Sequence, residues 1–409
     1  MKVVIFTQFY PPEMEPSGFM FHSFSSYLAL SKKNQNVEVV CGYPNFPHGK
    51  FVDRKWYSFF RKFVEDGVNV NNVFVIPSDN KSNLKRIVNY TSYLVTSTLR
   101  GLILKSPDVV IATSPPIFAA LSGLIVAKIK GAKFVLDVRD IWPESAVQMG
   151  SIKNKSIVKL LEWLEVLLYK HASLITVATP GMIDLVKAKI PNSGVSVEYV
   201  PCGVTIPEDD QLVASGQNPY DKCDEDKFKV LYAGLHGHAQ NLTTIIDAAN
   251  KLLDREDIVF YLVGAGPDKD RVVEYARSLE LNNVKFIEPV EREVIRRYFL
   301  FAGCALVPLQ DLDIFKNVFP SKTFELMSYG VPSIVGVGGE ISKIIEGSGA
   351  GLAVSPENPE EYAQAITKFA EDPEFRIQVK ARAIETAMRD FDYEVVNKQF
   401  EDLLLKICS

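Results

Sequence analysis

Residues 109–140 read VVIATSPPIFAALSGLIVAKIKGAKFVLDVRD, and this stretch decides the fold. The runs at 109–112 and 134–137 are nearly all apolar, as expected of strands buried on both faces of a parallel sheet. Between them, 117–129 has the length and pattern of a helix. The three together form one β-α-β unit of a doubly wound sheet. Working outward, further strand runs fall at 3–6, 37–40, 73–76 and 174–178, with helical patterns at 84–104 and 157–170. The rhythm stops at 204–226, VTIPEDDQLVASGQNPYDKCDED, a polar, acidic, turn-rich connection. It restarts with strands at 229–233, 258–263, 284–287, 305–308 and 333–335. Helices are predicted between them at 243–253, 268–279, 294–301, 323–329 and 359–369. Two Rossmann-like α/β domains are expected, 1–205 and 206–390. A last helix at 393–407, with Val396, Phe400, Leu403, Leu404 and Ile407 on one face, should pack on one of the domains.

Size and charge agree with this division. The 409 residues are 47% hydrophobic and 23% charged, a soluble globular mix that excludes disorder and fibres. The net charge of −5 excludes a generally basic nucleic-acid binder. The halves differ: residues 1–205 carry 23 basic and 15 acidic side chains, a net +8, and the remainder is −13. The five cysteines are scattered, with no zinc or disulfide spacing, and no apolar run is long enough to span a membrane. A cytoplasmic protein is expected.

Open parallel sheets bind ligands beyond the carboxyl ends of their strands, and paired domains of this kind hold them in a cleft. The loop 7–18 after the first strand contains Gly18 at the start of a helix, where backbone N–H groups favour phosphate. After the strand at 134–137 comes DVRDIWPE, where Asp140 can orient or deprotonate a hydroxyl and Arg139 can pair with phosphate or carboxylate. An Arg–Asp pair that merely fixes the loop is the alternative.

In the second half, GLHGHAQN at 234–241 offers glycines, two histidines (His236 and His238) and two amides (Gln240 and Asn241) as an anion cradle. The GAGP at 264–267 departs from the dinucleotide fingerprint and reads as a tight turn. Asp311 and Asp313 have the form of a metal-binding pair but read as an exposed loop. The most informative segment is NVFPSKTFE at 317–325. Lys322 at a helix start opposes the macrodipole and calls for an anion, while Glu325 one turn later can accept both hydroxyls of a ribose. Asn317 and Ser321 flank it.

Residues 50–63, KFVDRKWYSFFRKF, combine five basic residues with six aromatics, and 81–105 adds five more basic residues on an amphipathic pattern. Such a combination suits an anionic membrane surface.

Together FYPPE, YPNFPHGK, DVRDIWPESAVQMG, LLEWLE, LITVATPGM, VPCGV, LYAGLHGHAQNL, LVGAGP and FPSKTFELMSYGVP resemble the bacterial glycosyltransferase family 4 enzymes of GT-B fold. The likeness is greatest to the fucosamine-transferase type of O-antigen, capsule and colanic-acid assembly. It implies two Rossmann-like domains with an interdomain cleft and a C-terminal helix, within 391–409, that crosses back to the first domain. The resemblance further implies a nucleotide-sugar donor, UDP-linked, on the second domain and a lipid-linked or saccharide acceptor on the first. Transfer would proceed with retention and without a metal. Glu325 falls at the ribose-binding position, Gly18 in the N-terminal glycine loop, and His238 and Lys322 near the pyrophosphate.

The chain departs from the family at Asn317, where many members have Glu, and at Leu235 and Gln240, where many have Arg and Lys. The resemblance makes an N-acetylated amino sugar the expected cargo. Lys322 and His238 would then stabilise the leaving group, with Asp140 orienting the acceptor on the inner face of the plasma membrane. Rival readings are a nucleotide-sugar 2-epimerase of the same fold and a non-catalytic two-lobed sugar-binding protein. An NAD dehydrogenase is disfavoured by the broken glycine fingerprint.

Overall fold

A computed structural model describes residues 1–13, 16–31, 36–45, 49–51, 58–78, 83–148, 152, 154–208 and 217–408. The chain forms two compact units, Met1–Gly203 with Tyr393–Ser409, and Val204–Asp392. The first unit is therefore discontinuous in sequence.

Its sheet contains β1 (Lys2–Phe6), β2 (Asn36–Gly42), β3 (Phe60–Glu65), β4 (Val68–Val73), β5 (Val109–Ser114), β6 (Lys133–Val138), β7 (Leu174–Val177) and β8 (Ser196–Tyr199). They lie in the order β3-β4-β2-β1-β5-β6-β7-β8, all parallel except the β3–β4 hairpin. Along β1 the side chains alternate between two cores: Val4 and Phe6 enter one, Val3 and Ile5 the other. That is why the strand is apolar throughout.

On the Val4 side lie α2 (Asn83–Ile103), α3 (Ile117–Lys130) and α5 (Lys155–His171), with α3 touching both of the others. The opposite side holds α1 (Pro16–Leu30) and the C-terminal helix, Tyr393–Cys408, whose Val396, Phe400 and Leu404 are fully buried. Phe400 stacks on Phe24 with ring centroids 4.4 Å apart. Short helices α4 (Glu144–Gln148) and α6 (Gly181–Lys189) complete this unit.

The strand expected at 73–76 lies earlier. β4 is Val68–Val73, joined to β3 by Asp66-Gly67 with φ of 48° and 78°, a two-residue hairpin turn. Three asparagines in VNVNNV hide this strand, because Asn disfavours sheets. The structure gives two of them partners: Asn71 Nδ2 donates to Glu38 at 2.9 Å and to the Val39 carbonyl at 3.1 Å, and Asn72 Nδ2 donates to Cys41 Sγ at 3.2 Å. The 50–63 segment lies partly outside the described residues, as do Lys81 and parts of the 204–226 connection. Of the described residues of 50–63, Phe60–Phe63 lie on the exposed edge strand β3, and Phe51 packs against the core.

The second unit has β9 (Phe228–Ala233), β10 (Ile258–Val263), β11 (Val284–Ile287), β12 (Cys304–Pro308), β13 (Ser333–Gly336) and β14 (Gly351–Ala353) in the order β11-β10-β9-β12-β13-β14, all parallel. This is the 3-2-1-4-5-6 order of the doubly wound fold. Its helices are α7 (Thr243–Lys251), α8 (Lys269–Ser278), α9 (Arg292–Phe301), α10 (Ser321–Ser328), α11 (Glu340–Ser348), α12 (Pro359–Glu371) and α13 (Pro373–Thr386). The terminal helix of the first unit is α14 (Tyr393–Cys408). No helix among the described residues is long and apolar enough to cross a membrane.

Candidate active site

In the second sheet the strand order reverses between β9 and β12, and the loops beyond these two strands meet. Gln310 N donates to the Ala239 carbonyl at 2.9 Å, tying the β12 loop to the β9 loop. The turn after β10 closes over the same place. His236 N donates to Ala265 O and Asp268 N to His236 O, both at 2.9 Å. A Cβ at Gly264 would lie 1.9 Å from the Gly234 carbonyl, so only glycine permits this approach. The GAGP turn is thus a packing device between two backbones.

Lys322 stands in the first turn of α10. Its ammonium lies over the Tyr232 ring, 4.2 Å from the centroid. A Cβ at Gly234 would sit 2.3 Å from Nζ, so the absence of a side chain there makes room for the ammonium. Among the described residues Nζ has neither a hydrogen bond nor an ion pair. Burial pulls its pKa down to about 8, with the Glu325 carboxylate opposing. An ammonium held this way at a helix N-terminus lacks a counter-anion. Glu325, one turn further, is half-buried and 3.6 Å from Arg292. Ser321 opens the helix and is exposed. Asn317 closes the short helical turn Asp313–Asn317 that leads into α10 and is half-buried. Gln240 Oε1 is buried without a hydrogen-bond partner among the described residues.

His238 is exposed, and its Nδ1 lies 3.1 Å from Asp268. Asp268 is buried and also accepts two bonds from Arg271 at 2.7 Å, so His238 joins a carboxylate that requires donors. The histidine that enters the site is His236, fully buried beside Tyr232 at 5.6 Å between ring centroids. Neither of its ring nitrogens has a hydrogen-bond partner among the described residues. Burial, with Lys269 and Lys322 nearby, lowers its pKa to about 4, so the ring is neutral at physiological pH. Sequence reasoning counted His236 with His238 in the loop but singled out His238, and it passed over Tyr232. The signal available was the position of His236, two residues past the glycine that follows β9.

Two further clusters are occupied by cations of the chain itself. Asp311 and Asp313 are exposed, and Lys316 pairs with Asp313 at 2.6 Å. Asp221, Cys223 and Asp224 come within 4.8 Å of one another, but Lys285 sits between the two carboxylates at 2.7 and 2.5 Å.

In the first unit, Asp140 lies in the loop beyond β6. Burial pushes its carboxyl pKa up, while Ser145 donates to Oδ2 at 2.5 Å. Arg139 is not available to a ligand in the way expected. Its Nε donates to the fully buried Asp137 at 2.6 Å, Nη2 bonds the other carboxylate oxygen, and Nη1 donates to the Val200 carbonyl at 3.0 Å. Thr176 adds a further bond to Asp137 at 2.7 Å. A buried carboxylate needs such a bidentate partner, so the loop-fixing alternative describes Arg139. Gly18 allows a close approach within the chain itself: a Cβ there would lie 3.0 Å from the Phe9 carbonyl. It seats α1 against the preceding loop.

A lysine without an ion pair at a helix start, a nearby glutamate and a glycine-built loop thus come together at the switch point of a Rossmann-like unit. Residues 220–386 match the model of glycosyl transferases group 1, and residues 29–203 match the glycosyl transferase 4-like domain. The chain belongs to the GT-B glycosyltransferases.

It is 24% identical over 419 residues to the Escherichia coli K12 colanic acid biosynthesis glycosyl transferase WcaI, covering 98% of both chains. Against the glycosyltransferase WbjE of Pseudomonas aeruginosa it is 27% identical over 315 residues, 73% of this chain and 75% of the relative. Among solved structures, sucrose-phosphate synthase from Thermosynechococcus elongatus superposes with a TM-score of 0.75 at 14% identity, over 99% and 98% of the two chains. The Anabaena HepE structure in complex with UDP and glucose gives a TM-score of 0.69 at 15% identity, over 99% and 100%.

Proposed function

We propose that the protein transfers an N-acetylated amino sugar, with retention of configuration, from a UDP-linked donor to a lipid-linked or saccharide acceptor during bacterial surface-polysaccharide assembly. The observation that carries the donor half is the Lys322 ammonium, over Tyr232 and against Gly234, without an anion. A diphosphate supplies that anion. As the bond to the sugar breaks, negative charge grows on the departing diphosphate, and a preformed cation with helix N-terminal amides stabilises it. Glu325 accepts the ribose hydroxyls. No metal is needed on this reading, because the chain's own cation answers the phosphate charge; full activity in chelator is the matching test. Asp140 holds the acceptor hydroxyl, its carboxylate made more basic by burial.

The polysaccharide context rests on the names of the relatives. Cytoplasmic placement with peripheral membrane contact follows from a lipid-linked acceptor and the +8 charge of residues 1–205.

The test incubates the protein with UDP-sugars and lipid extract, following product configuration by NMR. Lys322→Ala should lower turnover by about 10²–10³-fold, as for loss of a single oxyanion donor, and weaken UDP binding. Asp140→Asn should lower turnover by about 10²–10⁴-fold with UDP binding intact. Release of a free epimeric nucleotide sugar without acceptor would replace this reading with an epimerase.

A further inference from the structure

The layer of α2, α3 and α5 carries apolar residues on both of its sides. One side enters the core beneath the sheet, through Tyr93, Leu124, Leu164 and Leu168 among others. The other side faces away from the sheet. Val95, Leu99 and Ile103 recur every four residues on α2, and Ile103 is 68% exposed. On α5, Leu160 at 59% and Trp163 at 61% stand three residues apart on this side. Between these helices α3 contributes Ile129 at 64%. Solitary exposed apolar residues are ordinary, but a run across three adjacent helices marks an interaction surface.

The charge on the same helices selects the partner. α2, α3 and α5 carry eight basic residues and two acidic ones, Glu162 and Glu165. Glu165 is buried and paired with Lys189 at 2.9 Å, which leaves Glu162 as their one exposed carboxylate. Lys155, Lys159 and Lys170 lie along α5, and Lys128 stands beside Ile129. Protruding aliphatic side chains and an exposed Trp among lysines match the boundary between headgroups and acyl chains of an anionic bilayer.

We infer that the outward face of α2, α3 and α5 docks on an anionic lipid bilayer, with Leu160 and Trp163 entering the interface. This rests on and deepens the membrane-borne acceptor reading above, and it names a second surface besides the 50–63 segment, of which residues 52–57 lie outside the described residues. Flotation with vesicles of phosphatidylglycerol and phosphatidylethanolamine tests it on the full chain. Binding at low salt, lost at high salt, is expected, with a blue shift of tryptophan fluorescence that Trp163→Phe removes. Leu160→Asp with Leu99→Asp should weaken vesicle binding at least tenfold while the UDP-induced thermal shift stays unchanged, which shows that the fold and donor site are intact.

Equal binding by the double variant, or no binding by the wild type, overturns the surface. So does a solution dimer that the variant abolishes, since the face would then belong to a second copy. Transfer to a detergent-dispersed lipid acceptor separates the two readings. If it persists without vesicle binding, the acceptor reading stands and the docking surface falls.

Discussion

At Lys322 the folded chain holds a cation that burial discourages, and the sign of its pH dependence follows. Its pKa is about 8 folded, against 10.5 in the unfolded chain. Between these values the unfolded state carries a proton that the folded state has released, so this group makes the free protein more stable as pH rises through that window. A bound diphosphate favours the charged form, so UDP affinity should decline as pH rises beyond about 8. Calorimetric titration from about pH 7 to about pH 9.5 checks this; a flat profile that Lys322→Met leaves unchanged would contradict it.

Gly234→Ala is the steric counterpart. The new Cβ would meet Nζ at 2.3 Å, so UDP binding should fall at least tenfold in the same titration. Gly131→Ala, with open space around it and a φ of 67°, should cost only about 1 kcal/mol of stability. Lys322 was legible in the sequence because Pro320 and Ser321 announce a helix start and a lysine there is out of place. The pairing of His238 was not legible, because its partner Asp268 stands thirty residues away, and nothing in a short loop shows which of two histidines turns inward. Arg139 lay closer to legibility, since Asp137 is two residues off, but the burial that binds them together is a tertiary fact.

Among the elements, those dictated by a continuous apolar run were readable, since a strand covered on both faces leaves no polar position to confuse the pattern. β4 escaped because its asparagines bond within the sheet, and the better clue was the turn dipeptide Asp66-Gly67 before it. The short strands β8 and β14 carried too few residues for a period to show. α14 was read from its apolar spacing, and its worth can be measured. Phe400 is buried against Phe24, so Phe400→Ala should destabilise the first unit by about 3–5 kcal/mol, seen as a lower urea midpoint. An unchanged midpoint would mean that α14 is not integral to this core. In the second unit α10 joins the Lys322 turn to Glu325, so a helix-breaking Leu326→Pro, in the helix interior, should impair both phosphate and ribose contacts together. UDP and uridine affinities would then drop in parallel.

Across the whole molecule, each unit has its own sheet and its own buried cores, which gives each the means to melt as a separate cooperative block. Scanning calorimetry should resolve two transitions. Saturating UDP should raise the one belonging to Val204–Asp392 by the linkage of ligand to the folded form; a shift of only the other would move the donor site to the first unit. The discontinuity of the first unit has a further consequence, for how the chain is made. Its core waits for Phe400 and Leu404, which leave the ribosome only after all of Val204–Asp392 has been synthesised. At roughly 5–20 residues per second, that delay is on the order of ten to forty seconds. The second unit can therefore be finished while the first still lacks a helix, reversing the usual N-to-C order of completion. During that interval the nascent chain exposes the apolar groove that α14 will fill, and a holdase chaperone has its natural window there.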